Sequence, residues 1–469
     1  RFLSIQLDAI NALGLAGLAL LVHDPLQLDH PGFQLTFAAT LALLWLYPAW
    51  RPALPARPNL VWGAACVSLV AFVGVQPLVA FAFQRASPIG LLLNLAAVPL
   101  FGLVTLLGWV AAAAPLLPGL GTWSAAAAAW LLDGMLALAA AAADLPGASY
   151  RVAPPSAVQL SALYAGLALS GAAARTALRR SAAAVALALL LQISLPPRPR
   201  PADGRLHLHA VDVGQGDALI ALLPDGRSLL IDGGGLRGSG LDIGDAVLGP
   251  LLARLGVREL DVVALSHAHH DHLQGLLAIA RDFPIGRLWQ AESPPRSPGY
   301  SELKALLERR GTALLSLTRG YRERIGAVEI EVLHPPRGAS DRQRVRNNDS
   351  QVLRLGFGRT AFLLTGDIES GAELQLAAGG RAAATVLKVP HHGSRTSSSE
   401  PLLAAVRPRW AILSVAERNP FGFPRAEVLE RYRSHRIRLL RTDRHGMISL
   451  VSDGHRIVAE TFYPLSCRP

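Results

Sequence analysis

The run Ser266-His267-Ala268-His269-His270-Asp271-His272 crowds five potential metal ligands into seven residues. Imidazoles and a carboxylate this close repel when charged and cost energy when buried without partners. A bound cation reverses that cost. The alternative, a solvated His-rich loop, leaves the order of the residues unexplained. The run follows the apolar segment Leu260–Leu265 and precedes Leu273-Gln274-Gly275-Leu276. That order predicts a strand, a ligand-bearing loop and a helix starting near residue 273.

Four further signals stand after strand-like runs. Asp212-Val213-Gly214-Gln215-Gly216-Asp217 and Ile231-Asp232-Gly233-Gly234-Gly235 are acidic turns whose glycines let backbones approach closely. Leu363-Leu364-Thr365-Gly366-Asp367 ends a strand on a carboxylate able to bridge two cations. Lys388-Val389-Pro390-His391-His392-Gly393-Ser394 ends another on two imidazoles. Mixed nitrogen and oxygen donors suit hard-to-borderline divalent cations, two of which can share a carboxylate. Hydrolysis of a phosphodiester fits such a pair.

The elements that must position these groups fall into two unlike halves. Residues 1–198 hold no Lys or Glu, nine Arg and five Asp, so most of the formal +11 charge lies after them. Apolar runs recur at roughly 9–22, 33–49, 59–82, 90–115, 123–143, 156–173 and 181–195. Several are long enough to cross a bilayer, with Pro77, Pro99 and Pro115 in or at the ends of them. A soluble helical domain would need polar faces that these runs lack. A polytopic bundle over 1–198 is therefore expected, with Asn11, Gln34, Gln76, Asn94 and Asp133 as candidates for a polar path or for interhelical hydrogen bonds.

Arg51, Arg57, Arg175, Arg179 and Arg180 fall on one side of an alternating chain, and Asp24, Asp29, Asp144, Arg85 and Arg151 on the other. The positive-inside rule puts the first group in the cytoplasm, and seven crossings then bring the second half out on the far side. A stiff Pro-rich linker over 199–205 separates the halves. From Leu206 to residue 469, short β-rich runs alternate with helical stretches near 244–255, 273–282, 300–311, 369–378 and 424–434, predicting two sheets with helices outside. Cys66 and Cys467 are too few and too far apart for a disulfide framework or a thiolate metal site. The chain opens on Arg1-Phe2-Leu3 with no initiator Met and no visible signal peptide, and an N-terminal truncation is expected.

HxHxDH, the Thr-Gly-Asp and the His-His-Gly-Ser together resemble a metallo-β-lactamase-fold hydrolase. DVGQGD, Asn347-Asn348-Asp349-Ser350 and LKVPHHGS, behind a polytopic segment carrying Asp8–Leu13, Gly32–Thr36 and Asn94–Leu100, narrow the resemblance to ComEC-type competence proteins. The resemblance implies an αββα fold after the membrane bundle and an inner-membrane channel for single-stranded transforming DNA. It further implies a periplasmic nuclease that degrades the other strand. Two ions, Zn or Mn, are implied, with His267 and His269 on one, Asp271, His272 and His391 on the other, and Asp367 bridging. Asp271, Asp367, His392, Lys388 and Ser394 are the implied catalytic residues, the last two as phosphate contacts. Asp212 and Asp232 would support the loops beneath.

Implied partners are DNA, lipid, a DNA receptor, a cytoplasmic translocation ATPase and further copies of the chain. Two positions depart from the pattern. Asn347-Asn348-Asp349 stands where relatives of the wider fold carry another His, making Asn348 a candidate oxygen ligand. Phe423 stands where a His often precedes the Pro, so one ligand is missing. Two rival readings follow: a membrane-anchored hydrolase of another phosphodiester without transport, and a non-catalytic domain that guides DNA.

Overall fold

In this computed structural model the described residues are 8–53, 60–113, 118–143, 145, 147–199, 202–235, 241–291, 297–338 and 345–464. Arg57, Pro115, Asp144 and Cys467 lie outside them. The chain divides into two compact units, residues 1–197 and 198–469.

The first unit is built on α1 (Ala9–His23), α2 (Pro31–Trp50), α3 (Leu60–Phe83), α4 (Pro88–Ala113), α5 (Pro118–Ala143), α6 (Ala157–Ala172) and α7 (Thr176–Ile193). Each expected apolar run holds one of these helices. Five are long and apolar enough to cross a membrane, whereas α1 and α6 are shorter. A ribbon of β1 (Arg85–Ala86) and β2 (Tyr150–Arg151) ties the α3–α4 corner to the end of α5. Small residues let the helices close up. A Cβ on Gly74 would sit 2.5 Å from the Ala42 Cβ, and one on Gly166 would sit 3.3 Å from the Ala186 Cβ.

Two of the polar-path candidates are spent on local structure: Gln34 Nε2 donates to the Leu28 carbonyl (2.8 Å) and Gln76 Nε2 to the Arg85 carbonyl (3.1 Å). Asp133 is exposed on α5. Trp109, Trp123 and Trp130 stand outward, 70% or more exposed, an apolar surface that water alone would not favour.

The second unit starts with β3 (Leu206–Ala210), β4 (Leu219–Leu222), β5 (Ser228–Ile231), β6 (Leu260–Ala264), β7 (Ile285–Ala291) and β8 (Ala313–Leu317) in one sheet. A second sheet takes β9 (Arg322–Ile325), β10 (Val328–His334), β11 (Val352–Phe357), β12 (Thr360–Leu364), β13 (Val386–Lys388), β14 (Trp410–Leu413) and β15 (Arg438–Arg441). The chain then returns to the first sheet with β16 (Ile448–Ser452) and β17 (Ile457–Thr461), giving the order β17-β16-β3-β4-β5-β6-β7-β8.

Alternation along the strands builds the layers. Leu219 and Ala221 face the second sheet, meeting Ile330, Leu353 and Phe362 in a shared core. Ile220 and Leu222 face outward onto α8 (Gly249–Arg254), α9 (His270–Asp282) and α10 (Pro298–Arg309). Leu363, Leu387 and Leu413 do the same against α11 (Ser370–Ala378), α12 (Glu400–Val406) and α13 (Ala426–Ser434). This is the αββα arrangement that the resemblance implies.

Strands β7, β8, β9 and β17 and helix α12 add to what the sequence pattern gives. β9 reads Arg-Glu-Arg-Ile and is a sheet edge, where charge replaces alternation to keep the edge from pairing. α9 also starts at His270 rather than near residue 273, so the ligand run is half loop and half first helical turn.

Candidate metal centre

The side chains in question stand where parallel strands end, the place at which open sheets present loops. Asp232 follows β5, Ser266 to His269 follow β6, Asp367 follows β12, and His391 and His392 follow β13. Close backbone approach holds these ends together. Gly366 (φ 52°) leaves no room for a Cβ, which would lie 2.9 Å from the Cβ atoms of both Ser266 and Ser350. Gly216 (φ 107°) is similarly pressed on the Asp271 carbonyl, where a Cβ would be 2.0 Å away. His391 and His392 are consecutive left-handed residues (φ 47° and 51°), strained backbone that persists only where its surroundings dictate it.

Hydrogen bonds behind the imidazoles decide which nitrogens are free. The Asp232 carboxylate accepts from Ser266 N (2.7 Å) and Ser266 Oγ (2.6 Å), and lies 2.8 Å from His272 Nδ1. The proton is thus assigned to His272 Nδ1, leaving a lone pair on Nε2. His392 Nδ1 donates to the Ser414 carbonyl (2.9 Å), which likewise frees its Nε2. Both Nε2 atoms are buried, and among the described residues neither has a partner with hydrogen-bond geometry.

Both point at one oxygen: Asp367 Oδ2 lies 3.3 Å from His272 Nε2 and 3.4 Å from His392 Nε2. Asp271 Oδ2 lies 3.8 Å from His392 Nε2. Ligand atoms about 2.05 Å from a tetrahedral cation are roughly 3.3 Å from one another. The spacing fits. A second pair of nitrogens, His267 Nε2 and His269 Nδ1, face each other at 2.9 Å, with Ser266 Oγ 3.1 Å behind His267 Nδ1.

Five further residues that the resemblance implies stand around this cluster as follows. His392, not His391, joins His272 and Asp367 in the buried cluster, because its Nδ1 is anchored on Ser414. His391 is half-buried beside it, with Nε2 3.3 Å from the Asn347 amide and 4.0 Å from Asp367 Oδ2. Lys388 is fully buried, ion-paired with Asp217, 3.8 Å from Asp367 Oδ1 and donating to the Gly366 carbonyl (3.4 Å). Ser394 Oγ is turned to Thr396 Oγ1 (3.0 Å). Asn348 Oδ1 accepts from Glu369 N (2.8 Å).

Asp217, which closes the DVGQGD turn, is the acidic residue that sequence reasoning left without a role. It belongs to the same cluster but faces the Nδ1 side of the rings, 3.7 Å from His392 Nδ1 and 3.9 Å from His272 Nδ1. It backs the imidazoles rather than sharing their free nitrogens.

The electrostatics favour positive charge here. Burial alone would pull His272 and His392 below their ordinary value. The carboxylates together outweigh it, Asp367 with Asp232 at His272 and Asp367 with Asp217 at His392, and both are raised. Burial pushes Asp367 up, yet the two imidazoles hold it well below the usual carboxylate range. Burial and then the neighbouring His272 pull His267 well below its ordinary value. A divalent cation held by these residues would supply that positive charge in place of the ring protons.

The donor set and the orphaned nitrogens therefore suit such an ion. Replacing Asp232 with Asn keeps the shape but weakens the hold on His272 Nδ1. Cation affinity is expected to fall roughly 10- to 100-fold, measured by competition with a chelator.

Comparison with known proteins agrees. Residues 1–177 match the family model described as competence protein, and residues 211–416 match that of the metallo-β-lactamase superfamily. ComE operon protein 3 of Bacillus subtilis (strain 168) is 28% identical over 462 residues, which is 94% of this chain and 58% of that protein. Competence protein ComA of Neisseria gonorrhoeae is 31% identical over 445 residues, 92% of this chain and 57% of that protein. The chain thus spans under two thirds of the length of these relatives. Among solved structures, the metallo-β-lactamase fold protein YhfI from Bacillus subtilis is 13% identical with a TM-score of 0.34, covering 50% of this chain and 95% of that one. The long apolar helices together with the first match make this a multi-pass membrane protein. The chain joins a competence-protein segment to a metallo-β-lactamase-fold domain, the combination of a ComEC-type protein.

Proposed function

We propose that this chain forms part of an inner-membrane channel for uptake of single-stranded transforming DNA. Its second unit is a periplasmic metal-dependent nuclease that degrades the strand left outside. The observation that carries the nuclease reading is the convergence of two orphaned, tautomer-fixed Nε2 atoms on Asp367 Oδ2. The membrane half and its competence match supply the transport reading. The Arg-bearing ends of α2 and α7, Arg51 and Arg175 to Arg180, face the cytoplasm by the positive-inside rule.

Asp271, His272 and His392 would hold one ion, His267 and His269 the other, with Asp367 between them. A divalent ion there supplies Lewis acidity toward a phosphodiester and a water of lowered pKa. Asp232 and the Ser414 carbonyl keep the rings aimed, and Lys388 neutralises Asp217. His391, with Asn347 Nδ2 3.3 Å from its Nε2 and Glu369 Oε1 3.2 Å from its Nδ1, stands at the edge of the group, where an imidazole would exchange a proton with the leaving oxygen.

The test uses the full chain in nanodiscs with labelled single-stranded DNA. Cleavage is expected only with Mn²⁺ or Zn²⁺, and Asp271→Ala should slow it about 10³-fold, the loss of several kcal/mol of transition-state stabilisation. Cleavage that persists after chelation and in Asp271→Ala sinks the nuclease reading. Matched transformation frequencies in cells carrying wild type and a deletion of the chain sink the transport reading.

A further inference from the structure

Beside the cluster, the loop from Ala416 to Arg425 carries two aromatic rings that no step above uses. Phe423 meets His391 edge-on, ring centroids 5.6 Å apart and planes at 72°. Phe421 stacks on Phe423 at 5.5 Å and 21°. Phe423 packs partly against the helix-covered core of the second sheet. Phe421 belongs to no buried cluster among the described residues and is 52% exposed. Arg425 lies over the Phe423 ring, its Cζ 5.9 Å from the centroid. Its own backbone N–H donates to the Gly393 carbonyl (3.0 Å), one residue past His392.

The loop is stiff. Asn419 spans it, accepting from Phe423 N (2.9 Å) and donating to the carbonyls of Phe423 (2.8 Å) and Ala416 (3.1 Å). A Cβ on Gly393 would lie 2.7 Å from the Pro424 Cβ, so the loop is seated directly on the His-bearing turn.

A rigid, open aromatic face whose next layer is another ring, with a guanidinium alongside, fits one occupant: an unstacked nucleobase with its phosphate. A duplex offers no free base face, and an aliphatic partner has no use for the near-parallel stack. We infer that Phe421, Phe423 and Arg425 form a stacking platform that seats a base of single-stranded nucleic acid next to the metal centre. The inference rests on the nuclease reading and names its substrate class: unpaired strands, bound through the faces of their bases without sequence preference.

The test is a binding measurement on the full chain in nanodiscs with cations withheld, so that nothing is cut. Labelled oligothymidylate is compared with an abasic strand of equal length and charge. The wild type is expected to prefer the strand with bases roughly 5- to 100-fold, the range for one stacked base. Phe421→Leu, which keeps apolar bulk without the ring, should erase the preference, and Phe421→Trp should keep it. Equal affinity of the wild type for the two strands overturns the proposal. So does a preference that survives in Phe421→Leu, which would leave the exposed ring to a protein or lipid partner. Absence of cleavage in the cation-loaded wild type sinks the nuclease reading while a base preference still stands. Normal cleavage without a base preference sinks the platform alone.

Discussion

His392→Ala is expected to abolish cleavage and His391→Ala to leave most of it, although the two residues are identical neighbours in sequence. Removing the His392 Nε2 leaves Asp367 and His272 facing a gap and deprives the ion of a buried ligand. The loss should be at least about 10³-fold in rate, with a matching fall in bound cation per chain. His391 Nε2 is 3.3 Å from an amide and lies at the half-exposed edge of the group. Its removal should cost roughly 10²-fold or less and leave cation stoichiometry unchanged, the signature of lost proton transfer. Thermal unfolding with and without chelator supplies a second readout. Cation should raise the melting temperature of the wild type and of His391→Ala, and not that of His392→Ala. The reverse pattern would return the ligand role to His391.

That assignment was beyond the sequence for a definite reason. HxHxDH, Thr-Gly-Asp and His-His-Gly-Ser are legible because each packs its ligands beside a strand end, and the strand ends come together in the fold. Between adjacent histidines, however, the choice depends on two left-handed backbone positions and on the Ser414 carbonyl, which arrives from the end of β14. Asn347 and Asn348 present the same problem one loop away: the amide that reaches His391 belongs to the first, while the second is spent on Glu369 N. Asp217 is written in plain view in DVGQGD, but its counterion is a lysine from β13.

The layers followed the same rule. Short β-rich runs announced β3 to β6 and β10 to β16, whereas β7 is interrupted by Gly286 and Arg287 and β9 is mostly charge. In the membrane half, hydropathy located the seven helices found among the described residues. It could not say that Gln34 and Gln76 would be used up in corner hydrogen bonds, because a glutamine lining a path and one capping a corner look alike in sequence.

Lys388 yields the sharpest stability effect. Its ammonium is fully buried between Asp217 and Asp367, in a group that also contains Asp232. Replacing it by Met fills the volume but leaves Asp217 buried without its ammonium partner. Breaking one side of such a pair costs about 3–5 kcal/mol, a fall in melting temperature on the order of 10 °C for a unit of this size. Removing the other side as well should restore much of it, because the uncompensated charge disappears: Lys388→Met with Asp217→Leu is expected to be more stable than Lys388→Met alone. A lysine that served as a phosphate contact would behave differently. Its loss would raise KM for DNA, leave the melting temperature nearly unchanged, and gain nothing from Asp217→Leu. Cation bound by the double variant adds a last discrimination. Asp217 faces the Nδ1 side of both rings, so the double variant should still take up the ion, with weaker affinity because the rings are less firmly aimed.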